Sequence, residues 1–367
     1  MFNISKKNIS KIDKTLIISV LILVIYGLVV LYSAGSSLSN HYFRKQLIAT
    51  IIGIIVVFFI ISLDNHIIKK LNIPMYIICN VLLVLVLFFG VGDEWGARSW
   101  FKFGPINFQP SEIMKIVLII SLANIIESNK NSLNNPKILI KILIFAFIPV
   151  ALILKQPDAG TAMVYTFIII VMLFTAGIDW KYLIGATILG IISLPFLYLR
   201  LDQFQRDRIL NFVHPERDLS NTGWQALQGK IAIGSGKLTG EGFLNGVQSQ
   251  YNFIPEKQTD FIFAVLVEEF GFIGGFILIL LYALMLYRCV VIAQNSDNLY
   301  SKLLTIGFAA MFLFHIFENI GMTIGVMPIT GIPLPFFSYG GTFQIINLIS
   351  IGLIISSSIQ KDPLNFI

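Results

Sequence analysis

The sequence predicts an all-α integral membrane protein of ten transmembrane helices with one large extracytoplasmic loop between the seventh and eighth. Two observations predict it. Of 367 residues, 56% are hydrophobic and 13% charged, with mean hydropathy +0.81. A soluble domain is about 45–50% apolar and about 25% charged, so this chain lacks the polar surface to cover the two or three soluble domains its length would otherwise suggest. The apolar residues also fall in runs close to the ~20 residues that a helix needs to cross the hydrocarbon core.

The first run, 15–35, follows Lys6, Lys7, Lys11 and Lys14. It exceeds the ~7–15 residues of a signal-peptide core and has no small-x-small cleavage site after it, which predicts a retained helix. Runs 46–63, 71–92, 112–127, 138–154, 159–177 and 181–200 follow, then a polar loop over 201–259, then 260–288, 303–325 and 339–358. No segment repeats with a period of 20–50 residues, so residues 1–367 read as a single polytopic domain. The stretch from Ile324 to Ser338 carries Pro328, Pro333 and Pro335 with Gly325 and Gly331. It cannot be a regular helix and is expected to be irregular backbone lining a protein or water cavity.

Orientation follows from short-loop basic residues. With both termini cytoplasmic, the inner side holds Lys6, Lys7, Lys11, Lys14, Lys69, Lys70, Lys130, Lys137, Lys141, Lys181, Arg288, Lys302 and Lys361. The short outer loops hold only Arg44, Lys45, Arg98, Lys102 and Lys155. These outer cations gather beside the starts of even-numbered helices. The second starts after Arg44, the fourth at Gln109-Pro110-Ser111-Glu112 with Lys115 a turn on, the sixth at Lys155-Gln156-Pro157-Asp158, the eighth at Thr259-Asp260, and the tenth near Ser338. Helix N-termini present unsatisfied N–H groups and partial positive charge. Five of them converging with basic side chains suit a phosphate or pyrophosphate, hence a phospholipid-linked substrate approached from the outer leaflet.

Each residue also has a structural reading. Ser111, Asp158 and Asp260 are good N-caps. Glu112 and Lys115, at i and i+3, can neutralise each other, although an ionisable pair inside a membrane helix is by default a functional candidate. Glu268 and Glu269 read as buried structural carboxylates, and His315, Glu318 and Asn319 form an intramembrane polar group with no assigned role. Arg206, Arg208 and Arg217 fit a solvated loop face equally well. The glycine-dense stretch from Ala232 to Gly246 lacks the order and strand–turn–helix setting of a nucleotide loop and reads as tight turns. Net charge is +6 without a basic–aromatic stripe, which argues against nucleic acid. Cys79 and Cys289, and His41, His66, His214 and His315, stand at no metal-ligand or disulfide spacing.

The motifs carry a resemblance. Gly96-Ala97-Arg98-Ser99-Trp100, Phe108-Gln109-Pro110-Ser111-Glu112-x-x-Lys115 and Gln156-Pro157-Asp158-x-Gly160-Thr161 come first. Then come Gly246-x-Gln248-Ser249-Gln250, Pro255-Glu256-x-x-Thr259-Asp260-Phe261-Ile262-Phe263-Ala264, and Gly331-x-Pro333-Leu334-Pro335-x-x-Ser338-Tyr339-Gly340-Gly341. In this order they resemble the SEDS family (shape, elongation, division and sporulation), its elongation branch, RodA, more than its division branch, FtsW. The family often has Arg-Trp adjacent, where here Ser99 intervenes. The resemblance implies ten helices and a bacterial plasma-membrane peptidoglycan glycosyltransferase that polymerises lipid II at the outer face during cell elongation. It implies Asp260 as the catalytic base. The resemblance links Arg44, Glu112 and Lys115 to the substrate cavity, and the helix starts and motifs complete the expected substrate-binding set with Arg98, Gln109, Ser111, Lys155, Asp158, Gln248, Thr259 and Ser338. Arg44, Arg98, Lys115 and Lys155 are expected to face the pyrophosphate. A divalent cation, magnesium or manganese, is expected, with ligands unassigned and no organic cofactor. The implied partners are a class B penicillin-binding transpeptidase and other elongation-complex membrane proteins. The rival readings are a lipid II flippase, which would favour mid-depth charges and internal repeats, and a non-catalytic scaffold.

Overall fold

The computed structural model describes residues 12–63, 65–92, 98–104, 106–201, 203–214, 217–218 and 222–359. Gly96 and Ala97 of the first motif, and Lys6, Lys7, Lys11 and Lys361, lie outside these, as does the side chain of Arg98.

Every apolar run becomes a helix. They are α1 Lys14–Ser36, α2 His41–Ser62, the short α3 Asn65–Lys70, α4 Asn72–Phe89, α5 Pro110–Ser128, α6 Pro136–Leu154, α7 Ala159–Thr175 and α8 Trp180–Arg200. After the polar loop follow α12 Ile262–Gln294, α13 Leu299–Ile324 and α14 Gly341–Ile359. Among the described residues, seven helices are long and apolar enough to cross a membrane. Of the other runs, Ala159–Thr175 and Trp180–Ser193 are shorter apolar segments, and α5 carries Glu112, Lys115 and Glu127. Local chemistry sets several boundaries. Asp13 caps α1 by accepting the Leu16 N–H at 2.8 Å, and its second oxygen pairs with Arg288 of α12. Asn298 caps α13 through Ser301, and Gly325, at φ +77°, ends it.

Beside a smaller cluster around Phe261 and Met322, the main apolar core runs from Leu16 to Ile359. In it α2 packs along α14, α12 lies between α1 and α13, and α13 also meets α5 and α7. Ile18, Ile25, Ile51, Phe58, Phe88, Ile144 and Ile188 are exposed around the outside, the pattern of a bundle whose solvent is hydrocarbon.

Two features depart from expectation. The all-α reading omits a small antiparallel sheet of β1 Val91–Gly92, β2 Arg98–Phe103 and β3 Ile106–Phe108, in order β1-β2-β3. Alternating aromatic residues and the left-handed Gly104 (φ +60°) favour that hairpin. The polar loop is also more helical than expected, with α9 Gln203–Val213, α10 Thr222–Ser235 and α11 Val247–Gln250.

The glycine-dense stretch finishes α10 and then docks into a break in α12. Gly271 has φ 69° and ψ −168° inside that helix, freeing main-chain groups that a membrane helix cannot leave unpaired. The loop pairs them. The N–H groups of Phe272 and Ile273 donate to Lys237 and Leu238 at 2.9 and 3.1 Å, and the carbonyls of Glu268 and Glu269 accept from Glu241 and Gly242 at 2.9 and 3.1 Å. Only glycine fits the contact, because a Cβ on Gly240 would lie 2.1 Å from the Glu269 carbonyl oxygen.

Candidate active site

The five helix starts singled out in the sequence converge at one end of the bundle, around the irregular segment 326–340. Gln46, a turn into α2, donates from its side chain to the Ser338 carbonyl at 3.1 Å and accepts the Gly340 N–H at 3.0 Å. The Ser338 hydroxyl accepts the Leu334 N–H at 2.7 Å and donates to the Thr259 carbonyl. Tyr339 N–H donates to the Gln258 carbonyl at 2.8 Å. Tyr165 of α7 donates to the Ser111 carbonyl at the start of α5.

Asp260 sits on a tight turn. The Glu256 carbonyl accepts the N–H groups of Thr259, Asp260 and Phe261 at 3.1, 3.0 and 3.2 Å, with Glu256 itself at φ +49°. Asp260 does not cap α12, as its residue type suggested, because Phe261 holds that position without a side-chain bond. Its own carbonyl instead accepts from Asn319 Nδ2 at 2.9 Å, while the same amide reaches the Ile332 carbonyl at 2.8 Å. The carboxylate faces Gly331, where a Cβ would sit 3.4 Å from Oδ2. Burial, reinforced by the Glu256 charge, pushes the Asp260 carboxyl up to about 7, while Arg208 and a bond from Thr259 pull it down.

Lys115 lies deeper. It is 1% exposed, pairs with Glu112 at 2.8 Å and lies 3.0 Å from His315 Nε2. Among the described residues the buried atoms Glu112 Oε2, Ser111 Oγ and Asn319 Oδ1 have no partner, so water or a ligand must complete the site. Asp158 does cap α7, accepting the Thr161 N–H at 2.9 Å. Burial raises its carboxyl against those cap bonds and the charges of Lys115 and Arg208. Arg208 thus acts on both Asp158 and Asp260 and donates to the Thr330 carbonyl at 3.3 Å. Arg208 is half-buried against the irregular segment and not fully solvated.

The site therefore gathers Asp260, Thr259, Ser338, Glu112, Lys115, Ser111 and Asp158. Gln109 is the buried N-cap of α5, though its side chain makes no capping bond, so Ser111 is not the cap. Arg44 and Lys155 are exposed at the starts of α2 and of the turn before α7. Gln248 is held elsewhere. Its N–H and that of Ser249 donate to Glu268 at 2.6 and 3.0 Å, and Lys257 reaches Ser249 and Ser37 from below. Burial lowers the Lys257 ammonium to about 8 against the charges of Glu268 and Glu269. Sequence reasoning missed Gln46 as a site-builder and gave His315 and Asn319 no role. Their signal was present, because polar residues in apolar helices must find partners.

Among the described residues no group of three or more His, Cys, Asp or Glu is arranged to hold a metal. Magnesium is commonly held by one or two carboxylates with substrate phosphates completing its shell. Glu256, whose charge raises the Asp260 carboxyl, is a carboxylate that could share a cation with substrate phosphates.

Residues 13–362 match the profile of the cell cycle protein family of FtsW, RodA and SpoVE. The chain belongs to this SEDS family. It is similar to the peptidoglycan glycosyltransferase MrdB of Escherichia coli (strain K12), at 35% identity over 96% of this chain and 95% of that one. It is equally similar to stage V sporulation protein E of Bacillus subtilis (strain 168), at 35% identity over 94% and 96%. Its fold matches a chain in a solved peptidoglycan synthase complex described as coordinating polymerization and crosslinking, with TM-score 0.82, 32% identity, and 95% and 97% of the two chains covered. A SEDS protein with this bundle is a multi-pass integral membrane protein of the bacterial cell membrane.

Proposed function

We propose that this SEDS protein polymerises lipid II with Asp260 as general base. It is a peptidoglycan glycosyltransferase, as its relatives are. A sugar hydroxyl of one lipid II attacks the anomeric carbon of another. The new glycosidic bond forms as the bond to undecaprenyl pyrophosphate breaks, and the hydroxyl proton passes to the Asp260 carboxylate. The observation that carries this reading is a half-buried carboxylate facing Gly331 on a turn fastened by Asn319, where burial pushes it up to about 7, close to working pH as a general base requires. It stands where helix starts converge with a buried ammonium.

Lys115 and Arg208 bring positive charge toward the leaving pyrophosphate, and exposed Arg44 and Lys155 guide the anion in. Gln109, Ser111, Thr259 and Ser338 shape the cavity. A divalent cation bound by Glu256 and the pyrophosphate would add neutralising charge. Pyrophosphate leaves without protonation by a matched acid, so one base suffices where a glycoside hydrolase uses two carboxylates.

The remaining particulars are part of the same proposal. The chain is one domain of ten crossings, with both termini cytoplasmic and Asp260 facing outward. It works in elongation beside a class B penicillin-binding transpeptidase. The crosslinking half of the similar synthase complex supports that partner.

The test is a glycan gel with fluorescent lipid II and magnesium or manganese, with and without the transpeptidase. Wild type should give a ladder and Asp260→Asn none, with lipid II still bound. A full ladder from Asp260→Asn would remove the base assignment. Transport of lipid II without polymer would replace the polymerase by the flippase.

A further inference from the structure

We propose that His315 is a positioning residue, a neutral imidazole that fixes the direction of the Lys115 ammonium. This rests on the reading of Lys115 as a ligand of the leaving pyrophosphate. Lys115 Nζ lies 2.8 Å from Glu112 Oε1 and 3.0 Å from His315 Nε2. An ammonium has three donors and no acceptor, so Nε2 must accept. The ring proton then sits on Nδ1, which faces the Pro333 carbonyl at 3.1 Å. An imidazolium would set an N–H against the ammonium, so this geometry admits one tautomer only.

Phe343 of α14 closes the arrangement. Its ring centroid lies 5.2 Å from that of His315, and the Lys115 ammonium lies 5.4 Å from it. With two donors committed to Glu112 and His315, the third has a set direction. Lys115 on its own long stem would have no such constraint.

The device also ties the two halves of the chemistry together. His315 and Asn319 are i and i+4 on α13, and so share a face. His315 holds Lys115 and the Pro333 carbonyl. Asn319 holds the Asp260 and Ile332 carbonyls. One turn of one helix thus registers the ammonium against the carboxylate through neighbouring carbonyls of a single irregular segment. Neither residue needs to touch substrate.

The test uses steady-state polymerisation of fluorescent lipid II by the full chain with its transpeptidase, alongside thermal unfolding of each variant. His315→Gln keeps an acceptor near the Nε2 place, whereas His315→Asn keeps the Pro333 bond and loses the Lys115 acceptor. His315→Leu loses both. Loss of a hydrogen bond to a charged group predicts a fall in kcat of roughly 10–100-fold for the Leu and Asn variants. His315→Gln is expected within about fivefold of wild type by the same reasoning, and KM should change less than kcat in all three. Adding His315→Leu to Lys115→Met should cost nothing further, because the pair acts as one unit.

Activities that follow thermal stability across all three His315 variants, or a full additional loss in the double variant, would overturn the proposal. If Lys115→Met loses activity while His315→Leu matches wild type, the positioning role alone fails. If Lys115→Met is as active as wild type, the anion-ligand reading fails and takes the proposal with it.

Discussion

The side-chain amide of Asn319 donates to the main-chain carbonyl of Asp260 at 2.9 Å, fastening the turn that carries the carboxylate to the middle of the bundle. The same nitrogen binds the Ile332 carbonyl at 2.8 Å, and Ile332 adjoins Gly331, which lies against Asp260 Oδ2. Asn319→Ala removes both bonds, each a net ~1 kcal/mol, and lets the turn drift. Asn319→Asp is worse, because it sets a carboxylate against two carbonyls close to another acid. Polymerisation rates should order as wild type, then Asn319→Ala, then Asn319→Asp, with the last lower by about 100-fold or more. Equal activity in all three would show that Asp260 is held in place by its own turn alone.

The raised carboxyl of Asp260 makes a paired forecast for rate and stability. A base must be deprotonated, so kcat/KM should rise with pH along a limb centred near 7. Arg208 opposes the upward shift, so Arg208→Gln should move that limb about one unit toward alkaline pH. For stability, a carboxyl whose folded pKa exceeds its usual 3.8 favours folding while protonated. That contribution is complete below the ordinary pKa and is lost as pH rises through about 7. Asp260→Asn keeps no charge to bury, so its melting temperature relative to wild type should be higher at pH 8 than at pH 6. A dye that reacts with the two buried cysteines, Cys79 and Cys289, can report the melts. A lower melting temperature at both pH values would trace any inactivity of Asp260→Asn to misfolding.

Much of this was legible in the sequence because membranes leave few options. Each apolar run had to become a helix, and polar residues at helix starts had to sit together or be satisfied by water, which is why Ser338, Thr259 and Lys115 were found in one place. What could not be read was side-chain direction across helices. Asp260 and Ser111 look like caps by type, yet Phe261 and Gln109 hold those positions. Gln248 stands eight residues before Glu256 in sequence, but its backbone is held by Glu268 two turns into α12. Arg208 belongs to the site only because α9 folds back over it, a tertiary fact that no spacing encodes.

The break in α12 should be intolerant of any side chain. Gly271 combines φ 69° with ψ −168°, a region open essentially to glycine and costing other residues about 1–3 kcal/mol. A Cβ there would also lie 2.4 Å from the Gly240 nitrogen and the Leu238 carbonyl oxygen, both main-chain atoms that cannot yield. Gly271→Ala is therefore expected to lose about 3 kcal/mol or more, visible as a large drop in melting temperature and in monodisperse yield. A near-normal melt would mean that the 236–242 loop undocks easily and that its four main-chain bonds to α12 contribute little.

Glu268 offers the last test, since it fixes Gln248 and Ser249 from inside α12. Its carboxylate accepts two main-chain N–H groups, charge-assisted bonds worth about 1.5–3 kcal/mol each. Gly246 lies against that carboxylate, and a Cβ there would come within 2.5 Å of Glu268 Oε2 and Ser249 Oγ. Glu268→Ala should release the 246–257 segment, exposing Lys257, which is 1% exposed in the folded chain. Trypsin should then cut after Lys257 in the variant and leave that bond intact in wild type. Gly246→Ala should open the same cut by displacing the carboxylate, yet add little to Glu268→Ala, whose side chain no longer reaches the loop. Protection of Lys257 in all three variants would mean that the Lys257 bonds to Ser37 and Ser249 suffice to hold the segment without Glu268.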